Sequence, residues 1–155
     1  MPFQGIDHLA FPSFDAEKTL RFQTEVLLAE LEFAMEGVSR GWGGRRYLMT
    51  GFRLGEVRLH FFQLDPMARP AADDLPQDTR HVAFRVSSAA EVDALEQRLV
   101  ERGIPYWEEE HYGSRSIYVT DPNGIVFEAT PAVAMPASVG PDPAARDRIR
   151  RWSAP

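Results

Sequence analysis

Two short segments of the chain are nearly the same, and each opens a similar run of predicted elements. Residues 7–11 read DHLAF and residues 80–84 read RHVAF. A strand and then a helix are predicted after each start, so the chain resembles one module repeated in tandem. The repeat puts His8 and His81 at matching positions. Equivalent strands of fused modules often meet at a pseudo-twofold axis, and two converging histidines predict a metal site.

The first predicted module, residues 5–64, has the element order βαβββ. Alternating apolar and polar residues from position 6 to 11 predict its first strand, and Asp15 is the expected N-cap of a helix that begins near Ala16. Three further strands are predicted at residues 31–38, 46–52 and 57–64. Residues 65–79 contain three prolines and lack hydrophobic periodicity, which predicts a surface linker.

The second predicted module, residues 80–130, repeats this order. A strand at residues 81–86 precedes a Ser-x-x-Glu capping box at Ser88 and Glu91, which predicts a helix ending near Gly103. The remaining strands are expected at residues 106–110, 116–120 and 125–130. In the tail, residues 131–155, Asp142 is a plausible cap for a short helix reaching about Trp152, and we expect this tail to be loosely attached.

The length of 155 residues favours a single domain, and the two predicted βαβββ modules make it an α+β domain over residues 1–155. A net charge of −6 argues against binding to nucleic acid or anionic membranes and favours a small-molecule partner. The absence of cysteine excludes disulfides, thiolate ligands and cysteine nucleophiles. No signal-like segment occurs near the first residue, so a cytoplasmic location is expected.

Alternation along the strands places four polar side chains on the sheet faces that point away from the helices. Neighbouring side chains in a strand point to opposite faces, so the bulky apolar residues of each strand are expected to pack against the helices. The polar residues that alternate with them are His8, His60, His81 and Glu128. A carboxylate such as Glu128 is costly to bury alone, and coordination to a cation removes that cost. Parity therefore favours a divalent metal site on the face away from the helices.

With these residues in place, positions 5–130 resemble the vicinal oxygen chelate superfamily. This superfamily includes glyoxalase I, fosfomycin- and bleomycin-resistance proteins, methylmalonyl-CoA epimerase and type I extradiol dioxygenases. The resemblance implies two βαβββ modules that form an open, metal-holding β-cleft with the helices on the outside. It also implies His8 and His81 as first-strand metal ligands and Glu128 as the last-strand ligand. His60 falls where glyoxalase I carries another glutamate, so this chain departs from the glyoxalase pattern there.

The segment from His111 to Glu128 also resembles the extradiol dioxygenase signature, in which a histidine and a spacer precede an apolar-Tyr pair, Asp-Pro-x-Gly and a glutamate. The resemblance implies catalytic roles for Tyr118 and His111, and His60 falls where ring-cleaving enzymes carry a histidine near the metal. Glu109 departs from the signature, which usually has a small or β-branched residue there. The run of three glutamates at 108–110 is expected to be a solvated strand edge.

Three functions remain open from the sequence. The favoured one is an Fe(II)- or Mn(II)-dependent, extradiol-dioxygenase-like enzyme for a small vicinal diol or catechol, in which His60 is the acid–base group. The second is a glyoxalase- or epimerase-like lyase or isomerase with His60 as fourth ligand and Zn or Ni as alternative metals. The third is a non-catalytic binding or resistance protein, with aromatic residues lining its pocket. Members of the superfamily often form homodimers, and some exchange modules so that each site draws on two chains.

Overall fold

The computed structural model describes residues 5–111, 113–131 and 143–152. The chain folds as two βαβββ modules followed by a short helix, so the predicted α+β class is confirmed. The first module contains β1 (His8–Pro12), α1 (Ala16–Arg21), β2 (Glu30–Ser39), β3 (Arg45–Leu54) and β4 (Val57–Asp65). The second contains β5 (His81–Val86), α2 (Ala89–Glu101), β6 (Tyr106–His111), β7 (Ser114–Thr120) and β8 (Val126–Pro131). The tail helix is α3 (Ala145–Trp152).

Each module builds one four-stranded sheet, in the orders β1-β4-β3-β2 and β5-β8-β7-β6. The first strand of each module pairs in parallel with the last strand, and the other pairings are antiparallel. The registers of the two parallel pairs match. Ala10 lies opposite His60 in one sheet, and Ala83 lies opposite Glu128 in the other. Small alanines therefore leave room beside the candidate ligands in both modules.

The helix starts follow local capping chemistry, with one difference from the sequence pattern. Asp15 caps α1 as predicted, because its carboxylate accepts a hydrogen bond from the Lys18 N–H at 3.0 Å. Ser88 is the N-cap residue of α2, but its side chain makes no capping bond. The Glu91 carboxylate instead accepts from the N–H and hydroxyl of Ser87, at 2.6 and 2.8 Å. Of the two capping-box interactions, only the one accepted by Glu91 forms, and its donor is Ser87 in place of Ser88.

The hydrophobic core is shared by the two modules. The Phe127 ring of β8 packs against Phe84 of its own module and against Phe11 and Phe22 of the first module, with ring centroids 5.9 to 6.4 Å apart. Leu59 in β4 is fully buried in the same cluster. Because these residues alternate along their strands with the candidate ligands, both candidate ligand faces point away from the shared core.

A buried amide joins the modules at one end of this core. Asn123, which is 6% exposed, accepts a hydrogen bond from the Phe14 N–H at 2.9 Å and donates to the Thr19 hydroxyl at 3.0 Å. The Asp121 carboxylate of the same turn accepts from the Asn123 N–H at 2.8 Å. The Asp-Pro-Asn-Gly turn therefore fixes one module against the other as well as reversing the chain.

The tail helix is exposed along its length. None of its residues is buried, and the side chains of Ile149 and Trp152 lie on the surface. The predicted cap, Asp142, falls outside the described residues. Among the helices described here, none has the length and apolar character needed to span a membrane.

Candidate metal and catalytic site

The first module places two histidine rings against each other. The rings of His8 and His60 stack with centroids 4.4 Å apart and an interplanar angle of 21°. The Nδ1 atom of His8 lies 2.7 Å from the Asp7 carboxylate. A carboxylate at this nitrogen fixes the hydrogen on Nδ1 and leaves the Nε2 lone pair available to a metal ion, as is usual for metal-binding histidines.

The surroundings of His60 favour its neutral form. Burial and the neighbouring His8 lower the pKa of His60 below its usual value. Its Nε2 atom is buried and has no hydrogen-bond partner among the described residues. A neutral imidazole with a free nitrogen can bind a metal ion or accept a proton from a ligand.

A phenylalanine covers the other side of His60. The Phe33 ring meets the His60 ring edge-on at 5.4 Å. Phe33 reaches this position because Gly51 lies beneath it, and a Cβ atom at Gly51 would overlap the Phe33 ring. The β2–β3 pairing puts these two residues directly opposite each other. Gly51 is thus needed for close packing beside His60.

The second module places a histidine beside a buried carboxylate. The His81 Nε2 atom lies 3.0 Å from an oxygen of Glu128, which is 6% exposed. The other ring nitrogen of His81, Nδ1, lies 2.6 Å from the backbone oxygen of Asp78 and can only donate to it. With a hydrogen on Nδ1, the Nε2 atom of His81 can bind a cation that the Glu128 carboxylate also binds.

A lone pair and a carboxylate that face each other are suited to a cation between them. One imidazole nitrogen and one carboxylate oxygen are ligands that Fe, Mn and Zn accept. The Asp7 carboxylate and the Asp78 carbonyl orient His8 and His81 in the way that outer-shell partners orient metal ligands. The donor atoms of these residues therefore fit a divalent transition metal.

Tyr118 connects this pair to a second histidine. Its side chain is 2% exposed, its hydroxyl is hydrogen-bonded to Glu128, and the His111 Nε2 atom lies 2.9 Å away. The Trp107 ring stacks on the Tyr118 ring at 5.3 Å. Burial and the Glu128 carboxylate raise the pKa of Tyr118 well above its usual value, so the phenol keeps its proton and can donate a hydrogen bond.

The predicted site residues thus fall into two groups. His8 and His60 lie together on the first sheet, and His81, Glu128, Tyr118 and His111 lie together on the second. Within residues 5–111, 113–131 and 143–152, no three His, Asp or Glu side chains are close enough to hold a metal ion. The reason is the orientation of both ligand faces away from the shared core, which separates the two groups within one chain.

Sequence reasoning missed some contacts around these residues. The three glutamates at 108–110 are not simply a solvated edge, since Glu108 contacts Arg115 at 3.2 Å and Glu109 contacts His111 at 3.3 Å. Parity places Glu109 on the same face as His111, which was the available signal. The Asp78 carbonyl has no side-chain signature, so the sequence offered no indication of its role.

The fold agrees with comparisons to known proteins. Residues 5–129 match the family model of the Glyoxalase/Bleomycin resistance protein/Dioxygenase superfamily, and the chain belongs to that superfamily. A glyoxylase/bleomycin resistance protein/dioxygenase domain from Frankia sp. EAN1pec aligns with a TM-score of 0.68 and 20% identity, over 85% of this chain and 94% of that chain.

Two other solved structures of the same fold are informative about the range of activities that it carries. A mutant of the fosfomycin resistance protein FosX from Listeria monocytogenes, complexed with Mn(II) and 1S,2S-dihydroxypropylphosphonic acid, aligns with a TM-score of 0.65 and 20% identity, over 90% of this chain and 100% of that chain. Lactoylglutathione lyase from Agrobacterium tumefaciens aligns with a TM-score of 0.62 and 23% identity, over 85% and 96%. At these identities the likeness establishes the fold alone.

Proposed function

We propose that this protein is a divalent-metal-dependent dioxygenase that opens the ring of a catechol-type diol beside, and not between, its two hydroxyl groups. The observation that carries this proposal is the hydrogen-bonded unit of His111, Tyr118 and Glu128 beside His81. This unit contains a metal-ligand pair and two groups for holding substrate oxygens. A neutral His60 on the other module supplies the acid–base group.

The metal ligands in this proposal are His8, His81 and Glu128. Because His8 lies apart from the other two within one chain, we propose a homodimer in which His8 of one copy completes the His81–Glu128 pair of the other. Two imidazoles and one carboxylate would hold the metal ion. When bound, Fe(II) or Mn(II) supplies Lewis acidity and open positions for the two diol oxygens and O2.

The chain's own residues have distinct tasks in ring opening. His60 accepts the proton of one substrate hydroxyl, since its imidazole is neutral and its Nε2 has no partner among the described residues. Tyr118 donates its hydroxyl hydrogen to a substrate oxygen in place of Glu128, and His111 supports Tyr118 through the contact between Nε2 and the hydroxyl. One ring carbon–carbon bond next to a hydroxyl-bearing carbon breaks, and both atoms of O2 enter the product. The reaction therefore needs no external reductant.

An aromatic cluster on the His60 face supports an aromatic substrate. Trp42 packs edge-on against Tyr47 and Phe62, with both pairs of ring centroids 5.5 Å apart. Phe62 lies two residues beyond His60 on β4, and Tyr47 lies on the adjacent strand β3, so all three rings are on the face that carries His60. Aromatic surfaces of this kind pack well against a substrate ring.

The test is oxygen uptake by protein purified without oxygen and loaded with Fe(II) or Mn(II). We expect uptake with catechols, with one O2 consumed per ring opened. The Glu128→Gln variant is the inactive control, and resorcinol, whose hydroxyls are not adjacent, is the substrate control. If metal-loaded protein consumes no oxygen with any catechol, the dioxygenase proposal is wrong.

The geometry of His60 also favours a second candidate, a glyoxalase- or epimerase-like isomerase. Its buried, unpartnered Nε2 and its stacking on His8 suit a fourth metal ligand. In that case Zn or Ni is expected, and the metal polarises the substrate while Glu128 moves a proton. Counting the imidazole ligands of the loaded protein by X-ray absorption separates the candidates, because two histidines support the dioxygenase and three support the isomerase.

A further inference from the structure

Glu109 is the residue at which this chain departs from the dioxygenase signature, and it lies beside His111 of the proposed catalytic unit. It sits on β6 opposite Ser116, on the same face as His111 and Tyr118. Its carboxylate lies 3.3 Å from the Nε2 atom of His111. The side chain is 36% exposed, so its position is explained better by this contact than by a role in the core.

The contact uses the same nitrogen that faces Tyr118. The His111 Nε2 atom is 2.9 Å from the Tyr118 hydroxyl and 3.3 Å from the Glu109 carboxylate. An ionised carboxylate can only accept hydrogen bonds. The carboxylate beside Nε2 favours the tautomer that carries its hydrogen there. In that tautomer Nε2 cannot accept the hydroxyl hydrogen of Tyr118.

A second carboxylate, that of Glu128, lies next to Tyr118 on the neighbouring strand. Tyr118 and Glu128 lie directly opposite each other on β7 and β8, and the Glu128 carboxylate is an acceptor for the Tyr118 hydroxyl. The Tyr118 oxygen is then left to accept from His111. With a small residue at position 109, the hydroxyl hydrogen has two acceptors of comparable quality, His111 and Glu128, and the direction is not fixed.

We propose that Glu109 is a positioning residue that fixes the hydrogen of His111 on Nε2 and so sets one direction of donation, from His111 to Tyr118 and from Tyr118 to Glu128. The catalytic consequence rests on the proposed dioxygenase function. The phenol of Tyr118 is then a defined donor toward the metal-ligand side. His111 acts as a donor, and it does not compete for the proton of Tyr118.

The first test determines the protonated ring nitrogen directly. Long-range proton–nitrogen NMR of imidazole-labelled, metal-free protein reports which nitrogen of neutral His111 carries hydrogen. We expect Nε2–H in the unmodified protein. In Glu109→Gln, whose amide can turn its NH2 toward His111, we expect Nδ1–H to become populated. The matched control is Glu110→Gln, the same change one residue along and on the opposite face of β6.

The second test measures turnover of the Fe(II)-loaded protein. Loss of an orienting partner in a metal site typically costs ~10-fold or more. We expect Glu109→Gln to lower kcat by about that factor with little change in KM, while Glu110→Gln matches the unmodified protein. Glu109→Asp, which keeps the charge, should recover part of the lost kcat.

The two tests separate this inference from the proposed function. Absence of oxygen uptake in every variant overturns the dioxygenase and leaves the tautomer result to be judged alone. A His111 with hydrogen on Nδ1 in the unmodified protein overturns the role of Glu109, even if the enzyme is active. So does an unchanged tautomer in a folded Glu109→Gln variant.

Discussion

The two modules share a topology and a register, yet their site faces are built for different tasks. In the first module, the rings of His8 and His60 stack on each other, and Phe33 packs edge-on against His60. In the second module, His81 meets the buried carboxylate of Glu128, and Tyr118 links them to a hydrogen-bonded network. Duplication supplied one scaffold twice, and side-chain differences at matching positions made one half apolar and the other charged.

This difference indicates how the work is divided between the modules. A buried carboxylate contributes most to cation binding, because it brings a full negative charge into a site of low dielectric. Histidine rings beside phenylalanine and tryptophan contribute more to substrate contact and proton transfer. Under the proposed function, the second module holds the metal, and the first module completes the coordination and receives the substrate ring.

The largest expected effect tests which module holds the metal. Glu128→Gln removes the only carboxylate of the proposed ligand set, and we expect its Mn(II) affinity to fall by more than ~100-fold, beyond what loss of an outer-shell partner causes. His60→Gln, in the other module, should change the affinity by less than ~10-fold. Isothermal titration with Mn(II) compares the two. If both variants lose the same Mn(II) affinity, the second module does not dominate metal binding, and His60 is favoured as a ligand.

A mixing experiment tests whether the two modules meet across two chains. His8→Ala and His81→Ala are each expected to be inactive. In a mixed dimer, one site combines both substitutions and the other has neither. Random exchange of subunits therefore restores about a quarter of the unmodified activity. Oxygen uptake after mixing and refolding measures this.

No recovery in mixtures that contain mixed dimers would show that each site is built from one chain. Formation of mixed dimers is checked by native mass spectrometry of the mixture. The same measurement on the unmodified protein gives its oligomeric state.

The aromatic face of the first module is expected to set the size and apolarity of the substrate. Trp42→Ala removes two edge-on ring contacts, and aromatic pairs contribute about 0.5–1.5 kcal/mol each. We expect KM for an aryl-substituted catechol to rise by up to ~10-fold, with unchanged Mn(II) affinity. The control is Trp152→Ala, a tryptophan of α3 that is 92% exposed. If both variants raise KM equally, the cluster does not line the substrate site.

The smallest effect concerns the junction between the modules. Asn123→Ala leaves the Phe14 N–H without its acceptor and removes one of the hydrogen bonds of the Thr19 hydroxyl. We expect the free energy of unfolding to fall by about 1–3 kcal/mol. Urea denaturation measures this change. Gln97→Ala, which removes an exposed hydrogen bond to Glu101, should have little effect. An equally stable Asn123→Ala variant would show that the shared core alone holds the modules together.

Much of the local structure was predictable because it depends on neighbouring residues. The histidine repeat, the Asp15 cap and the alternation around His60 and Glu128 are short-range patterns, and each is found in the fold. The capping box of α2 was only partly correct, because Glu91 has two serines within reach and its carboxylate bonds to Ser87. The contact between His81 and the Asp78 carbonyl was not predictable. Every residue has a backbone carbonyl, and the residue type does not show where that carbonyl points.

The sequence by itself determined which side chains share a sheet face, since a strand alternates its side chains with a period of two whatever else surrounds it. It therefore identified His8, His60, His81 and Glu128 as a set. Only the tertiary structure decided that the set is divided in two, because the packing of Phe127 with Phe11 and Phe22 joins the modules through the opposite faces. Such packing depends on residues far apart in the chain, and no local pattern fixes it.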